Sequence, residues 1–328
     1  MGKTAYTAAL YCVAGLALPN AVIAAEDLSP YPVKAIRMVV PYPPGGGSDV
    51  VGRQVAQKLS VGLGQTVIVD NRAGAAGNLG AELVAKSPPD GYTILLGGSS
   101  TLAVSPSLYA KLPFDSMRDF SHITMLIIVP NVLVVHPSLP VSSVKELISL
   151  AKAHPKDLNF SSQGNGSVGH LSGAMLNVMA GINVAHIPYK GAAPAITSLI
   201  SGETQMLFDS PFSALPQVKA RKVKALAVSS LKRIAILKDI PTVAESGVIG
   251  FEAGIWYSLL APARTSRNIV ERLHREAYQA LNSPDMRDTF IGQGAEIVGS
   301  SPEEFSAYLQ KDIVRWGKII SSAGVRAD

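Results

Sequence analysis

The sequence predicts an α/β protein of two lobes with a ligand-binding cleft between them. Short β-rich runs alternate with amphipathic segments along the whole chain, which is typical of βαβ units with a mostly parallel sheet covered by helices. The alternation occurs as two similar units, and one unit lies between the halves of the other. We therefore expect two crossing segments between the lobes, and a cleft where loops at the carboxyl ends of strands face each other. The alternative is one continuous doubly wound domain.

The elements of the first unit follow directly from this pattern. Its predicted strands are "AIRMVVPY", "QTVIVDNR" and "GYTILLGGS", and its predicted helices are "SDVVGRQVAQKLSVGL" and "AGNLGAELVAKS". The long β-type run "ITMLIIVPNVLVVHPSL" comes next and is interrupted by Pro130, which cannot sit inside a central strand. A change of lobe is therefore expected near this proline.

The second unit and the last third complete the pattern. Helices "SSVKELISLAKAHP", "SVGHLSGAMLNVMAG", "GAAPAITSLISGE" and "FSALPQVKARK" alternate with strands "LNFSSQ", "NVAHIPY", "TQMLFDS" and "VKALAVSS". Strand "GIWYSLLAP" and helices "SRNIVERLHREAYQALNS" and "SPEEFSAYLQKDIVRWGKIIS" follow. We assign residues 26–129 and 230–328 to lobe 1 and residues 130–229 to lobe 2.

The first 25 residues have the layout of a secretory signal peptide. Lys3 is the positive start, "AALYCVAGLAL" the apolar core and "AVIAAED" the small-residue cleavage region. The alternative is a membrane anchor, but the apolar core is shorter than the about 18–20 residues that span a bilayer. Cleavage removes Cys12, the only cysteine, so we expect an exported, periplasmic protein without disulfides.

Composition excludes one class of partner. The chain of 328 residues is 47% hydrophobic and 16% charged, with a formal net charge of +5 that falls to +4 without Lys3. Its Lys and Arg residues are scattered, and aromatic residues make up only 6%. Because no basic and aromatic residues interleave as in base-stacking surfaces, nucleic acid is not an expected partner.

The stretch "VVPYPPGGGSDVVGRQVAQKL" is a candidate anion site. Its three glycines let the backbone approach a ligand, and Ser48 or Asp49 is expected to cap the following helix, whose N-terminus favours an anion. A dinucleotide fingerprint fails because Val50 occupies the third glycine position, although Asp70 could hold a ribose. No P-loop lysine follows. A carboxylate site is favoured over a structural turn or a nucleotide site.

Similar small-residue loops recur before other predicted helices. They present Ser99 and Ser100 in "LLGGSST", Gly164, Gly166 and Ser167 in "SSQGNGSVGHLSGAML", and Tyr189, Lys190 and Gly191 in "PYKGAAPAI". Loops of this kind on both lobes would form a cage of backbone donors. The repetition supports a binding site for a small anion.

Enzyme patterns are weak. Ser167 and His170 could serve a hydrolase, but Asn165 stands where a nucleophile elbow needs glycine. The six histidines are scattered, so neither a metal nor a cofactor is expected. Asp209 could orient a ligand or cap a turn, and Trp256 is favoured as a core residue. An exported hydrolase and a Rossmann oxidoreductase remain alternatives to a receptor.

The chain resembles the tripartite tricarboxylate transporter receptors, or Bug family, of periplasmic solute-binding proteins. The matching segments are "YPVKAIRMVVPYPPGGGSDVVGRQVAQKL", "VIVDNRAGAAGNLGAELVAKSPPDGYTILLG", "FSSQGNGSVGHLSGAML", "HIPYKGAAPAITSLISGE", "IPTVAESG" and "WYSLLAPA". The resemblance implies a type II-like Venus flytrap fold that captures a carboxylated metabolite for a membrane permease. One departure is Tyr42, where many relatives carry phenylalanine.

Residues of both lobes are implied as ligand contacts by this resemblance. In lobe 1 they are Tyr42, Pro43, Gly45, Gly46, Gly47, Ser48, Asp49, Ala75, Ala76, Ser99 and Ser100. In lobe 2 they are Gly164, Asn165, Gly166, Ser167, His170, Tyr189, Lys190, Gly191 and Asp209. The expected ligand is a dicarboxylate, tricarboxylate, amino acid or aromatic acid. The expected protein is a monomer that docks on permease subunits of a tripartite transporter or on a membrane sensor.

Overall fold

Short apolar strands and amphipathic helices alternate as expected. The computed structural model describes residues 1–2, 31–155 and 157–325. Its contacts divide the chain into two units, Met1–Tyr31 and Pro32–Asp328. Apart from Met1 and Gly2, the predicted signal peptide lies outside the described residues.

Eleven strands and ten helices lie in the described ranges. The strands are β1 (Ile36–Val40), β2 (Val67–Asn71), β3 (Thr93–Gly98), β4 (Phe120–Pro130), β5 (Val132–Val135), β6 (Asn159–Ser162), β7 (Ala185–Pro188), β8 (Met206–Asp209), β9 (Lys224–Val228), β10 (Gly254–Pro262) and β11 (Glu296–Ile297). The helices are α1 (Gly47–Leu63), α2 (Asn78–Ala85), α3 (Ser105–Leu108), α4 (Val144–Ala153), α5 (Val168–Ala180), α6 (Ala192–Ile200), α7 (Pro211–Lys219), α8 (Arg267–Asn282), α9 (Pro284–Gly292) and α10 (Pro302–Ala323). Helices α3 and α9 and strand β11 were not predicted.

The strands form two separate sheets, one in each lobe. The first sheet has the order β11-β4-β10-β3-β1-β2, and the second has the order β7-β6-β8-β5-β9. The long apolar run is thus two strands, β4 in the first sheet and β5 in the second, with Pro130 as the last residue of β4. The change of sheet falls at Asn131, where the sequence predicted a change of lobe.

The expectation of a mostly parallel sheet is wrong. Among the described strands, four pairings are parallel and five are antiparallel. The antiparallel pairs involve β4, β5, β9 and β10, which lie next to the crossings between the sheets. A chain that leaves one sheet through β4 and returns through β10 places these two strands side by side in opposite directions.

The chain crossings are hydrogen-bonded to one another through Ser229. Its Oγ accepts from the Asn131 N–H at 2.7 Å and donates to the Ala253 carbonyl, and its own N–H donates to the Asn131 carbonyl at 2.8 Å. The Ala253 N–H donates to the Ser229 carbonyl at 2.9 Å. Ser229 and Asn131 are almost completely buried. These bonds form the crossing clasp, which joins the first crossing, at Asn131, to both ends of the second crossing, residues 229–253.

The main hydrophobic core continues from one lobe to the other. It contains Val39 and Leu95 from the first sheet, Leu133 and Phe160 from the second, and Trp316 from α10. In β5, Leu133 and Val135 face this core, whereas Val132 and Val134 face a separate core beneath α6 and α7. Both faces of the second sheet are therefore covered. This explains why β5 is apolar at every position and shows no alternation of apolar and polar residues.

Trp256 is a core residue, as the sequence analysis favoured. It is 1% exposed, and its Nε1–H donates to Asp312 Oδ2 of α10 at 2.7 Å. Asp312 also pairs with Arg315. Helix α10 is thereby fixed against β10. No helix in the described part of the chain combines the length and hydropathy that a bilayer crossing needs.

Replacing Ser229 with alanine is expected to lower the free energy of unfolding by about 2–4 kcal/mol, because two buried backbone groups lose their partner. The matched control is Ser230→Ala, since the Ser230 hydroxyl donates to the nearby Lys232 carbonyl in a local, solvent-accessible hydrogen bond. Urea unfolding of both variants measures the difference. Equal stability of the two variants would show that the Ser229 hydroxyl does not stabilise the crossings.

Candidate functional site

The glycine-rich loop of lobe 1 leads directly into α1. Gly46 is the N-cap residue, and its carbonyl accepts from the Val50 N–H at 3.0 Å. The prediction that Ser48 or Asp49 caps this helix is wrong. Asp49 lies in the first turn instead, where its Oδ2 accepts from the Gly45 N–H at 3.0 Å. The N-terminus of α1 therefore has no side-chain cap. Within the described ranges, no side chain accepts a hydrogen bond from the first backbone N–H groups of the helix as a cap residue would.

Asp49 fastens this loop to its surroundings. It is 5% exposed and also accepts from Asn71 Nδ2 and Arg53 Nε, each at 3.0 Å. Burial acts to raise the pKa of Asp49, but the hydrogen bonds from Arg53, Gly45 and Asn71 outweigh it and hold the pKa below its ordinary value. Because its oxygens already serve protein donors, Asp49 is a brace for the loop.

The second loop of lobe 1, Gly74–Gly77, has an unusual backbone. All four residues have positive φ, and two of them are alanines, Ala75 at 46° and Ala76 at 54°. Left-handed backbone costs a non-glycine residue about 1–2 kcal/mol, so the surroundings must hold it in place. Thr101 Oγ1 donates to the Ala76 carbonyl at 3.0 Å, and the Tyr42 hydroxyl lies 2.7 Å from Thr101 Oγ1. Tyr42 thus ties the first loop to the second.

Ser99 and Ser100 follow β3 in the same region. Ser99 is completely buried, and its Oγ has no hydrogen-bond partner among the described residues, which is unusual for a buried hydroxyl. Ser100 begins a π-helical turn, Ser100–Val104. Such turns are often found at functional sites. Asp70, by contrast, is held by Arg37 and Arg72, so it is not free for the ribose contact of the nucleotide alternative.

The loop of lobe 2, Gly164–Ser167, is braced by two histidines. The Gly166 N–H donates to His170 Nδ1 at 3.1 Å, and Ser162 Oγ, which accepts from the Gly164 N–H at 3.2 Å, lies 2.6 Å from His186 Nε2. The two imidazoles stack with ring centres 3.8 Å apart. Burial lowers the pKa of His170 and of His186 to about 4, and the neighbouring His170 further lowers that of His186. Both rings are therefore neutral at pH 7.

Ser167 and His170 do not form a nucleophile–base pair. Ser167 Oγ caps α5 by accepting from the His170 backbone N–H at 3.2 Å. The Nδ1 atom of His170 is engaged by Gly166, and its ring lies against His186. The hydrolase alternative has no geometric support here. The described residues also contain no cluster of three His, Cys, Asp or Glu side chains that could hold a metal ion.

The other predicted ligand contacts of lobe 2 differ in solvent exposure. Gly191 is the N-cap residue of α6, with a φ of 108°. The Lys190 side chain is exposed, whereas Tyr189 packs against the core beneath α6 and its hydroxyl is buried. Asn165 is exposed within its loop, and Pro43 is exposed in the lobe 1 loop.

Asp209 is buried at the end of β8 beneath the start of α7. It is 1% exposed and accepts from Gln163 Nε2 at 2.9 Å, from the Ser210 N–H at 2.8 Å and from Ser213 Oγ. Burial raises the pKa of Asp209 to about 6, although these hydrogen bonds act to lower it. Of the two roles considered for Asp209, this arrangement favours orienting the turn into α7.

Two residues in this region were missed by the sequence analysis. Tyr257 of β10 is 5% exposed, and its hydroxyl lies 3.5 Å from Ser48 Oγ. Phe212 of α7 reaches lobe 1, since a Cβ on Gly47 would lie 3.6 Å from its Cδ2 atom and 3.3 Å from the Tyr257 hydroxyl. The alternation of β10 could have indicated Tyr257, because Trp256 points into the core and its neighbour must face the other side.

The lobes meet closely at three glycines. Gly47 of lobe 1 lies under Phe212, and Gly294 lies under Pro211 and Ile236, where an added Cβ would be 3.1 Å and 2.7 Å from their side chains. Gly166 of lobe 2 lies under Leu108 with no room for a Cβ. We call Gly47, Gly166 and Gly294 the glycine contacts. They allow the backbone of one lobe to receive side chains of the other.

Two α/β lobes, hydrogen-bonded crossings and a glycine-rich loop before a helix in each lobe are typical of a two-lobed solute-binding protein. The family model described as "Tripartite tricarboxylate transporter family receptor" matches residues 51–325. The chain belongs to this family. It is therefore a solute receptor of a periplasmic class and not an enzyme.

Similar proteins are found among both sequences and solved structures. Protein BugT of Bordetella pertussis is 36% identical over 319 residues, which cover 97% of this chain and 98% of that protein. A protein of R. palustris solved with adipate is 35% identical with a TM-score of 0.84, covering 90% of this chain and 99% of its own. MatC from Rhodopseudomonas palustris with bound malate is 30% identical with a TM-score of 0.80, covering 88% and 100%.

Acid is expected to weaken the fold through His170 and His186. Their pKa values of about 4 lie below the value of 6.5 for an unperturbed histidine, so the unfolded chain binds more protons between these limits. This contribution to stability is fully present above about pH 6.5 and is lost as the pH falls towards 4. Asp209 acts in the opposite direction, because its raised pKa lets the folded state bind a proton first.

The variant His186→Phe keeps a flat ring next to Phe160 but cannot titrate. Between about pH 7 and about pH 4.5, it is expected to lose about 1–2 kcal/mol less unfolding free energy than the unmodified protein, allowing for screening at the partly exposed His186. Urea unfolding at both pH values measures this. His154→Gln, at an exposed position after α4, is the control and should behave as the unmodified protein. The same loss in all three proteins would contradict the assignment.

Proposed function

We propose that this receptor captures a small carboxylate in the cleft between its lobes and closes around it. The observation that carries the proposal is that a glycine-rich loop leads into a helix N-terminus on each side, at Gly45–Gly47 before α1 and at Gly164–Ser167 before α5. Backbone N–H groups and the positive end of the helix dipole favour an anion at such places. Contacts from both lobes give the closed state its differential affinity for the ligand.

The class of ligand is supported by the similar structures. One was solved with adipate and another with malate, and both compounds are dicarboxylates. We extend this to a carboxylate of similar size for the present chain. The neutral hydroxyls near α1 suit such a ligand, since burial raises the pKa of Tyr42 and of Tyr257 and keeps both able to donate.

The proposed ligand-binding residues fall into two groups by geometry. The proposed direct contacts offer backbone groups, hydroxyls or exposed side chains and comprise Tyr42, Pro43, Gly45, Gly46, Gly47, Ser48, Ala75, Ala76, Ser99, Ser100, Gly164, Asn165, Gly166, Ser167, Lys190 and Gly191. Asp49, His170, Tyr189 and Asp209 are proposed to act by holding these loops in place, because their polar atoms are engaged or buried.

We further propose the lobe limits 26–129 with 230–328 for lobe 1 and 130–229 for lobe 2. The membership of β4 and β10 in one sheet and of β5 and β9 in the other supports them. We also propose export by a cleaved signal peptide at residues 1–25, a monomeric receptor, and delivery to the permease subunits of a tripartite tricarboxylate transporter. A membrane sensor would require the same ligand chemistry.

The test is a thermal-shift screen of the mature protein against small carboxylates, including malate and adipate, with NAD and ATP as controls. A ligand at about 100 times its dissociation constant adds about 2.7 kcal/mol to stability, which raises the melting temperature by several degrees. A shift with one carboxylate and none with nucleotides supports the receptor. An unchanged melting temperature with every carboxylate, or a shift with a nucleotide alone, would overturn the proposed function.

Gly47→Ala is expected to weaken carboxylate binding about threefold or more, because its methyl group would lie only 3.3 Å from the Tyr257 hydroxyl and in contact with Phe212, and one of these groups must shift for the lobes to close. Gly292→Ala is the control, since nothing lies within 4 Å of the added Cβ there. Isothermal titration of both variants with the carboxylate found in the screen measures the effect. Equal affinities would show that contact at Gly47 does not limit closure.

A further inference from the structure

Tyr257 places a hydroxyl beside the N-terminus of α1 from a different part of the chain. Its strand, β10, pairs with β3, and Tyr257 lies opposite Gly98 in that pairing. A Cβ on Gly98 would lie 3.9 Å from the Tyr257 ring, so the small residue leaves room for it. The ring passes the end of β3, and its hydroxyl arrives next to Gly47 and Ser48 of α1.

The hydroxyl of Tyr257 can still donate a hydrogen bond, because Ser48 Oγ is the donor in the contact between the two groups. Within the described residues, Ser48 Oγ is its hydrogen-bond partner, and the 3.5 Å between the two oxygens is long against the usual 2.7–2.8 Å. Burial raises the pKa of Tyr257 to about 12, so the group stays protonated. A buried, neutral O–H with one long contact lies beside helix N–H groups that no side chain caps.

Phe212 covers the same place from lobe 2. It is the second residue of α7, and that helix start is held by Asp209 through Ser210 and Ser213. The ring atoms nearest Gly47 are Cδ2 and Cε2, at 3.6 Å and 4.0 Å from the position of a Cβ there. Ring-edge carbons carry hydrogens with partial positive charge, which is compatible with a carboxylate nearby.

We propose that Tyr257 and Phe212 complete the carboxylate subsite at the N-terminus of α1, with Tyr257 donating a hydrogen bond to the carboxylate and Phe212 closing over it from lobe 2. This inference rests on the proposed function, since it assigns a ligand carboxylate to that position. The two residues belong to different lobes, so they contact the ligand at different steps of binding. Tyr257 contacts the ligand whenever it occupies lobe 1, whereas Phe212 acts only after closure.

The experiment is stopped-flow and equilibrium titration of the mature protein with malate, adipate and acetate. Tyr257→Phe keeps the ring but removes the donor and is expected to weaken binding roughly 10- to 100-fold, the range for a lost hydrogen bond to a charged group. Phe212→Ala is expected to release the carboxylate about tenfold faster with an association rate within about twofold of the unmodified protein. Phe212→Leu restores an apolar cover and is expected to recover most of the slow release.

Tyr278→Phe is the control for losing a tyrosine hydroxyl, because Tyr278 is an exposed residue of α8. Melting curves without carboxylate check that each variant folds, and a purely structural role for Tyr257 would lower the melting temperature without this affinity loss. If the unmodified protein binds and Tyr257→Phe binds equally well, this inference fails and the proposed function stands. If the unmodified protein binds none of these three and no other carboxylate of the thermal-shift screen, the subsite fails together with the proposed function.

Discussion

The hydrogen bonds of Ser229 are the constraint on which the two-lobed structure depends. Two segments run between the lobes, at Asn131 and at residues 229–253, and each carries backbone groups that would be buried without partners in a dry interior. Ser229 satisfies these groups on Asn131 and Ala253 with its own backbone and hydroxyl. The geometry also explains the mixed sheets, because β4, β5, β9 and β10 run towards or away from this point and pair antiparallel on either side of it.

The glycine contacts determine how closely the two lobes can approach each other. Each of these positions receives a side chain of the opposite lobe, and a methyl group at any of them would touch that side chain. The glycines of the lobe 1 loop therefore have two roles that are not the same. Gly45, at a φ of 83°, permits the turn, whereas Gly47 lies within α1, where a Cβ would come within 3.3 Å of the Tyr257 hydroxyl. Flexibility alone does not explain a run of three glycines here.

The order of elements and the place of the first crossing could be predicted from the sequence, because alternation and Pro130 are local signals. The position of a glycine-rich loop directly before α1 also followed from Gly45–Gly47, whereas anion binding there stays a prediction. The cap at Gly46 could not be predicted, since it depends on Asn71 and Arg53 drawing Asp49 away from that role. The contact of Phe212 with the start of α1 could not be predicted either, because it forms only where the two lobes meet. The role of Asp209 depends partly on Gln163, and that of His170 on stacking with His186, and neither contact is visible in the local sequence.

The charged side chains around the cleft are mostly engaged by the protein itself. Asp49 accepts from Arg53, Asp209 from Gln163 and Ser213, and both histidines are neutral at pH 7. What remains at the start of α1 is backbone N–H groups and neutral hydroxyls. Such donors bind a carboxylate without the desolvation cost of a buried cation, and they hold it less tightly than an ion pair would. A receptor that must release its ligand benefits from this, because closure of the lobes, rather than a fixed charge, then determines how long the ligand stays bound.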